Sequence, residues 1–283
     1  MDALAGGLVA PLAAEAQQAG KVARIGYLVT GSLESSETRV TLEAFRQGLR
    51  ERGYVEGQNI VIEYRAANGK IERLPGLATE LVRLKVDLIV AGNTPGARAA
   101  QQATTTIPIV AGVLGDPVGD GLVASLARPG GNITGLTFLG PELVPKRLGL
   151  LKEALPKITR VAALWHPGAF GERTNQVMLK ETEAAARTLG VQLQLVGVRG
   201  PDELDRAFST MTKERAEALV LFPSTMLFNE RRRIVALAAK HRLPSMFNNR
   251  ESVELGGLIS YGASLTDLFR RSATYVDKIL KGA

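Results

Sequence analysis

The chain has 283 residues, 45% hydrophobic and 22% charged, with no cysteine and a formal net charge of +7. Such a composition is globular and the length suits about two domains; it excludes wholesale disorder, and the lack of cysteine excludes disulfides, thiolate metal sites and cysteine nucleophiles. The basic residues are scattered singly among acidic ones, which argues against a nucleic-acid partner, and the densest cluster, Arg231-Arg232-Arg233, follows Glu230 on an expected helix and reads as a solvated face.

Residues 1–21 are expected to be a signal-peptide remnant and linker. Their small apolar residues end in Ala14-Glu15-Ala16, which fits a cleavage signal, although only Asp2 stands where a positive segment belongs. Either translation starts upstream, or the segment is atypical, or it is a flexible alanine-rich end. No apolar run reaches the roughly 18 residues of a membrane span.

From Arg24 onward short β-branched runs alternate with longer amphipathic stretches, the pattern of a parallel sheet with crossover helices. Strands are expected at residues 25–29, 59–64, 87–92, 107–114 and 133–138. Leu42, Phe45 and Leu49 recur at helical spacing and form the face of a helix that covers this sheet. A second set of strands follows at 161–165, 191–196, 218–222, 244–247 and 257–261. The two halves open alike, each with a strand, a helix ending in Arg52-Gly53-Tyr54 or Leu189-Gly190-Val191, and a second strand. The expected fold is therefore α/β: two doubly wound parallel-sheet lobes with a hinge near 138–145, where Gly140-Pro141 interrupts the pattern. The N-terminal lobe is assigned to 22–138 with a returning helix at 263–283, and the C-terminal lobe to 139–262.

In open parallel sheets, ligands bind beyond the carboxyl ends of the strands. The loops there carry Ser32, Asn93-Thr94-Pro95-Gly96, Asp116-Pro117, His166, Ser224-Thr225 and Asn248-Asn249. Thr94 and Pro95 open a helix whose free N–H groups favour an anion, or simply cap it. Asp116 either pairs with a ligand amine or starts a turn. Of the aromatic residues near these loops, Tyr27, Phe138, Trp165, Phe222, Phe247 and Tyr261, core packing accounts for most, and Tyr261 is the one favoured for the cleft. His166 and His241 are the sole histidines, too few for a multi-histidine metal site. No nucleophile elbow, Walker loop or dinucleotide fingerprint occurs, which lowers the case for an enzyme, and neither a cofactor nor a metal is expected.

The stretch Asp116-Pro-Val-Gly-Asp-Gly-Leu-Val-Ala-Ser-Leu-Ala-Arg-Pro-Gly-Gly-Asn-Ile-Thr-Gly135, read as a loop and helix, resembles the signature of ABC-transporter substrate-binding proteins of the tryptophan-importer-like family. Residues 53–60, 86–91 with the Thr94-Pro95 helix start, 257–262 and 275–282 agree with it, so the resemblance runs from about Val22 to the end. It implies the type I periplasmic binding fold, export to the periplasm, a small-molecule ligand between the lobes, a membrane ABC permease as partner, and a monomer that catalyses nothing. Relatives with known ligands bind aromatic amino acids, but positions acidic in that branch are here Asn249 and Glu251, which leaves amino-acid specificity open. Members of the family usually continue past Lys281 with a further lobe-crossing segment, so the chain is expected to lack one. The expected ligand shell is Ser32, Asn93, Thr94 and Asp116 from the first lobe with Trp165, Ser224, Thr225, Asn249 and Tyr261 from the second. The alternative is a ligand-sensing domain of the same fold in a regulatory system, which an N-terminal DNA-binding helix pair would have favoured. An enzyme of doubly wound fold is the remaining rival.

Overall fold

The computed structural model describes residues 22–282. The signal-peptide reading lies outside the described residues. Two five-stranded sheets, every strand pairing parallel, form the frame. The first holds β1 (Ala23–Val29), β2 (Ile60–Ala66), β3 (Leu88–Ala91), β4 (Ile109–Leu114) and β5 (Ile133–Thr137) in the order β2-β1-β3-β4-β5. The second holds β6 (Arg160–Trp165), β7 (Gln192–Gly197), β8 (Ala218–Leu221), β9 (Ser245–Phe247) and β10 (Ile259–Ser260) in the order β10-β9-β8-β6-β7. Read from the other edge, the second order is the first with every strand replaced by its counterpart. The chain therefore builds the same doubly wound sheet twice, as the matching halves of the sequence implied.

Each sheet is apolar on both faces because helices cover both, which is why its central strands read as unbroken hydrophobic runs. In the first lobe, α2 (Leu74–Arg83) and α3 (Thr94–Ala103) cover one face with Leu74, Leu77, Leu81, Ala97 and Ala100. The other face is covered by α1 (Ser36–Arg50), through Leu42, Phe45 and Leu49, and by α10 (Leu265–Leu280), through Leu268, Phe269 and Val276. In the second lobe α4 (Leu143–Ala154) and α5 (Glu172–Thr188) lie opposite α6 (Leu204–Lys213) and α8 (Arg231–Lys240). The short α7 (Thr225–Asn229) and α9 (Arg250–Glu254) complete the lobe. Each fully buried Leu or Phe contributes about 1.5–3 kcal/mol of transfer free energy, so both lobes have cores of their own.

The chain passes between the lobes at 138–142, from β5 into α4, and again at 261–264, from β10 into α10, which returns to the first lobe. Two expectations need correction. The signature stretch 116–132 contains no helix: Pro117, Pro129 and four glycines break it, and the Asp116 carboxylate and Pro117 carbonyl take the N–H groups of Gly119, Leu122 and Val123 in turns. The arginine cluster is not wholly solvated either, since Arg231 is buried over the Phe228 ring at 4.3 Å, while Arg233 pairs with Asp205.

Candidate ligand-binding site

Between the carboxyl ends of the two sheets lies a cavity of about 950 Å³, its mouth included. The first lobe contributes Tyr27, Val29 and Gly31 as β1 runs out, Thr38 and Thr41 from α1, Gly92 to Pro95 after β3, and Val113 of β4. The second contributes Ala169 and Phe170 after β6, Ser224, Thr225, Phe228 and Asn229 after β8, and Asn248 after β9. The two chain crossings close the back with Phe138 and Ala263, joined by Leu265 and Phe269 of α10. This is the position the strand order dictates, because neighbouring loops diverge where the order reverses, between β1 and β3 and between β6 and β8.

No lysine, arginine, aspartate or glutamate is part of this wall. It is an aromatic and aliphatic box with a polar rim of hydroxyls and amides, a chemistry suited to a flat apolar body with one or two polar groups. Tyr27 is fully buried with its ring 5.4 Å from Phe45 and 5.9 Å from Tyr64; burial first, then the neighbouring Tyr64, holds its phenol protonated far above the usual tyrosine range.

The polar rim is pre-organised by helix caps. The Asn93 side chain caps α3, its Oδ1 accepting from the Gly96 N–H at 3.1 Å and from the Thr30 hydroxyl at 2.9 Å. Those bonds turn Nδ2 toward the other lobe, where it donates to Thr225 Oγ1 at 3.3 Å. Thr94 Oγ1 accepts from the Gly115 N–H at 3.4 Å, so its hydroxyl also ties two ligand-side loops together. Opposite, Ser224 caps α7 and shares a 3.2 Å hydrogen bond with His166 Nδ1. Burial lowers the His166 pKa, which keeps the imidazole neutral at physiological pH.

Other contacts hold the lobes against each other. Asp120, from the loop after β4, accepts from the Gly171 N–H at 2.9 Å and the buried Thr174 hydroxyl at 3.0 Å at the start of α5. Phe170 reaches across to Phe138, ring centroids 6.3 Å apart, and lies on Gly115, where a Cβ would overlap its ring.

Of the residues expected from sequence, the structure brings Asn93, Thr94, Ser224 and Thr225 together on the wall; the other five stand elsewhere. Ser32 Oγ accepts from the Glu34 N–H within its own loop. Asp116 serves as the turn former, accepting from the Gly119 N–H at 2.8 Å. The Trp165 indole packs over Gly197 on the neighbouring strand β7. Asn249 is 3% exposed, capping α9 through Ser252 and donating to Asn248 Oδ1 at 2.8 Å, so it positions a wall residue without being one. Tyr261 is 42% exposed and contributes a backbone carbonyl to Arg147. Sequence reasoning missed Phe170, Phe228, Asn229 and Phe269, together with Thr38 and Thr41. The threonines, three apart at the start of α1, were a legible signal: a polar pair at helical spacing directly after a strand-end loop. Phe269 gave none, since it lies on a helix far along the chain whose apolar face reads as core.

Among the described residues no helix is long and apolar enough to cross a membrane, and no cluster of three or more His, Cys, Asp or Glu could hold a metal ion. Residues 29–283 match the family described as ABC transporter substrate binding protein. A tyrosine-binding protein of Clostridioides difficile is 26% identical over 241 residues, 85% of this chain and 68% of that protein. The structure of an ABC domain in complex with L-Trp from Streptococcus pneumonia is 25% identical, with a TM-score of 0.82 over 92% of this chain and 85% of that one. The ligand-free, open structure of a Clostridium difficile substrate-binding protein with adhesive properties is 26% identical, with a TM-score of 0.66 over 93% of this chain and 86% of that one. At nearly equal identity the chain thus overlays better on the L-Trp complex than on the open form, in keeping with the hydrogen bonds across its own cleft. On the match over residues 29–283, the protein belongs to the ABC transporter substrate-binding proteins, a family of extracytoplasmic binders rather than enzymes.

Proposed function

We propose that this protein captures a small molecule with an aromatic body and a carboxylate in the cavity between its lobes and delivers it to an ABC permease in the membrane, acting as an exported monomer. The observation that carries the reading is a wall contributed by both lobes, free of ionised side chains and lined by Tyr27, Phe138, Phe170, Phe228 and Phe269. Rings of this kind offer offset and edge-on contacts to a flat group. The caps of α1 and α3 aim their first N–H groups and the positive ends of their dipoles toward the cleft, where a carboxylate is favoured. Asn93, Thr94, Ser224 and Thr225 would supply the polar contacts, joined by Asn229 and Asn248. Asp116 has no part in this shell, so a ligand amine would rest on hydroxyls and amides in place of a carboxylate. The names of two relatives, one tyrosine-binding and one solved with L-Trp, support an aromatic amino acid or an aromatic acid as substrate. Since ligand binds the closed form, a bound and closed molecule is what a permease would distinguish from an open one.

Thermal unfolding with L-tyrosine, L-tryptophan and aromatic acids tests the reading. A ligand at 100 times its dissociation constant adds about 2.7 kcal/mol of stability. A saturable rise in Tm, with the ligand recovered unchanged, is expected. A flat response to every aromatic compound, with a rise for an aliphatic or sugar ligand, would replace the aromatic assignment, and turnover of a ligand would replace the binding role.

A further inference from the structure

Arg147, on α4, is 0% exposed and makes no ion pair among the described residues. Its Nε donates to the Tyr261 carbonyl at 2.7 Å and its Nη1 to the Gly140 carbonyl at 3.3 Å; its Nη2 is buried without an acceptor. Those two carbonyls belong to the two chain crossings, so one guanidinium holds both connections between the lobes. Burial lowers its pKa to about 10, which the Tyr261 phenol offsets only in part and no carboxylate offsets. A buried cation is ordinarily paired, because carbonyls alone return only part of the hydration it loses.

The position of the unused nitrogen is informative. Arg147 Nη2 stands 3.4 Å from where a Cβ on Gly262 would be, and that same point abuts the Asn248 carbonyl. Gly262 precedes Ala263, and Ala263 and Asn248 both belong to the cavity wall. The charge therefore sits directly behind the ligand chamber, whose own lining carries no ionised group to balance it. In a medium of low effective dielectric, an unbalanced charge at that range acts on whatever occupies the chamber.

We infer that Arg147 is a specificity-determining residue: its uncompensated charge makes the cavity select ligands bearing a carboxylate over their uncharged or cationic counterparts. The inference rests on the reading above of an aromatic ligand with a carboxylate and adds the residue that selects for that carboxylate. The carboxylate supplies the missing counter-charge, and the fork on Gly140 and Tyr261 links its arrival to the segments about which the lobes move.

The test is calorimetric titration with two matched pairs, phenylacetate with phenylacetamide and L-tyrosine with L-tyrosinamide, on the wild type, Arg147→Met and Arg147→Lys. The wild type should prefer the acid in each pair by at least about tenfold, the scale of one charge-assisted contact. Arg147→Met should bring the acid-to-amide ratio close to one, any cost of losing the fork falling on both members alike, and Arg147→Lys, which keeps the charge and loses the fork, should retain the preference. Equal wild-type affinity for acid and amide overturns the inference. So does a Met variant that weakens both members equally, which would make Arg147 a hinge clasp only, or a Lys variant that loses the preference. If the Met variant does not fold, the wild-type ratio and the Lys variant still decide. Amides that bind as well as the acids sink this inference and leave the aromatic reading standing, whereas wild-type protein that melts normally and binds none of the probes removes both.

Discussion

The Asn93 carboxamide accepts from the Thr30 hydroxyl and the Gly96 N–H inside its own lobe and donates to Thr225 in the other. The first two bonds fix the rotamer and the third uses it, so one side chain is at once a helix cap and a bridge over the cleft. Asn93→Ala should lose both functions. Loss of the cap should cost about 1 kcal/mol of stability, read by urea unfolding, and loss of the bridge should weaken ligand by a further ~0.5–1.5 kcal/mol in titration calorimetry. Asn93→Asp separates the two, because it keeps the cap acceptor and removes the donor to Thr225; its unfolding midpoint should stay near wild type while its affinity falls. At this scale the sequence was legible where a wall residue stands at a strand-to-helix junction: Asn93 and Ser224 cap the helices that follow, and Thr94 opens one. It was misleading for Asp116 and Asn249, which carry equally good turn and cap signatures and spend them on Gly119 and Ser252, Asp116 also accepting from the Thr174 hydroxyl of the other lobe at 3.4 Å. Nothing in the local residue types separates these from the wall residues, since what separates them is whether the side chain faces the cavity.

At the scale of elements, periodicity located nearly every strand, because a strand covered by helices on both faces is a hydrophobic run with sharp ends. The strand expected at 257–261 shrinks to Ile259–Ser260 because Gly256 takes a positive φ of 104° and a Cβ on Gly257 would crowd the Phe247 ring and the Ser252 carbonyl. Helix pairing was not legible. Nothing in 36–50 or 265–280 says that α1 and α10 lie side by side, yet Gly48 lets them approach until a Cβ there would overlap the Arg270 carbonyl. That contact anchors the returning helix, and with it Phe269 on the cavity wall. Gly48→Ala therefore sets helix propensity, which favours alanine by about 1 kcal/mol, against a backbone clash that costs about 1–3 kcal/mol. The clash should win, because its partner is main chain and cannot rotate away. Urea unfolding should show a net loss of stability, and the displaced Phe269 should lower ligand affinity as well. A stabilised variant would mean that α10 can slide without cost.

For the whole molecule, the proposed function makes the governing equilibrium one between lobes apart and lobes together, and any contact made in only one of those states shifts it. Asp120 is such a contact. It belongs to the first lobe, yet its carboxylate is bonded to the Gly171 N–H and the Thr174 hydroxyl of the second, at the positive end of α5. Its other oxygen is buried without a partner, and burial raises the pKa of the carboxyl in spite of those bonds. The bridge thus includes an unpaired group, the arrangement of a contact strong enough to bias closure and too costly to lock it. Asp120→Ala removes the bridge and leaves each lobe's core untouched, since its hydrogen-bonded partners Gly171 and Thr174 lie across the cleft. Closure should then cost about 1–3 kcal/mol more, which appears as a Kd roughly five- to 150-fold weaker. Small-angle scattering of the ligand-free variant should give a radius of gyration at or above that of the wild type, returning to the wild-type closed value once ligand is saturating. A ligand binds the closed form alone in this scheme, so the loss in affinity is the population shift itself and needs no change in any ligand contact. Were the affinity to fall while the ligand-free dimensions and the ligand-bound dimensions both stayed wild type, Asp120 would have to act on the cavity wall directly; were neither to change, the lobes would be held by the Asn93–Thr225 and Phe138–Phe170 contacts without it.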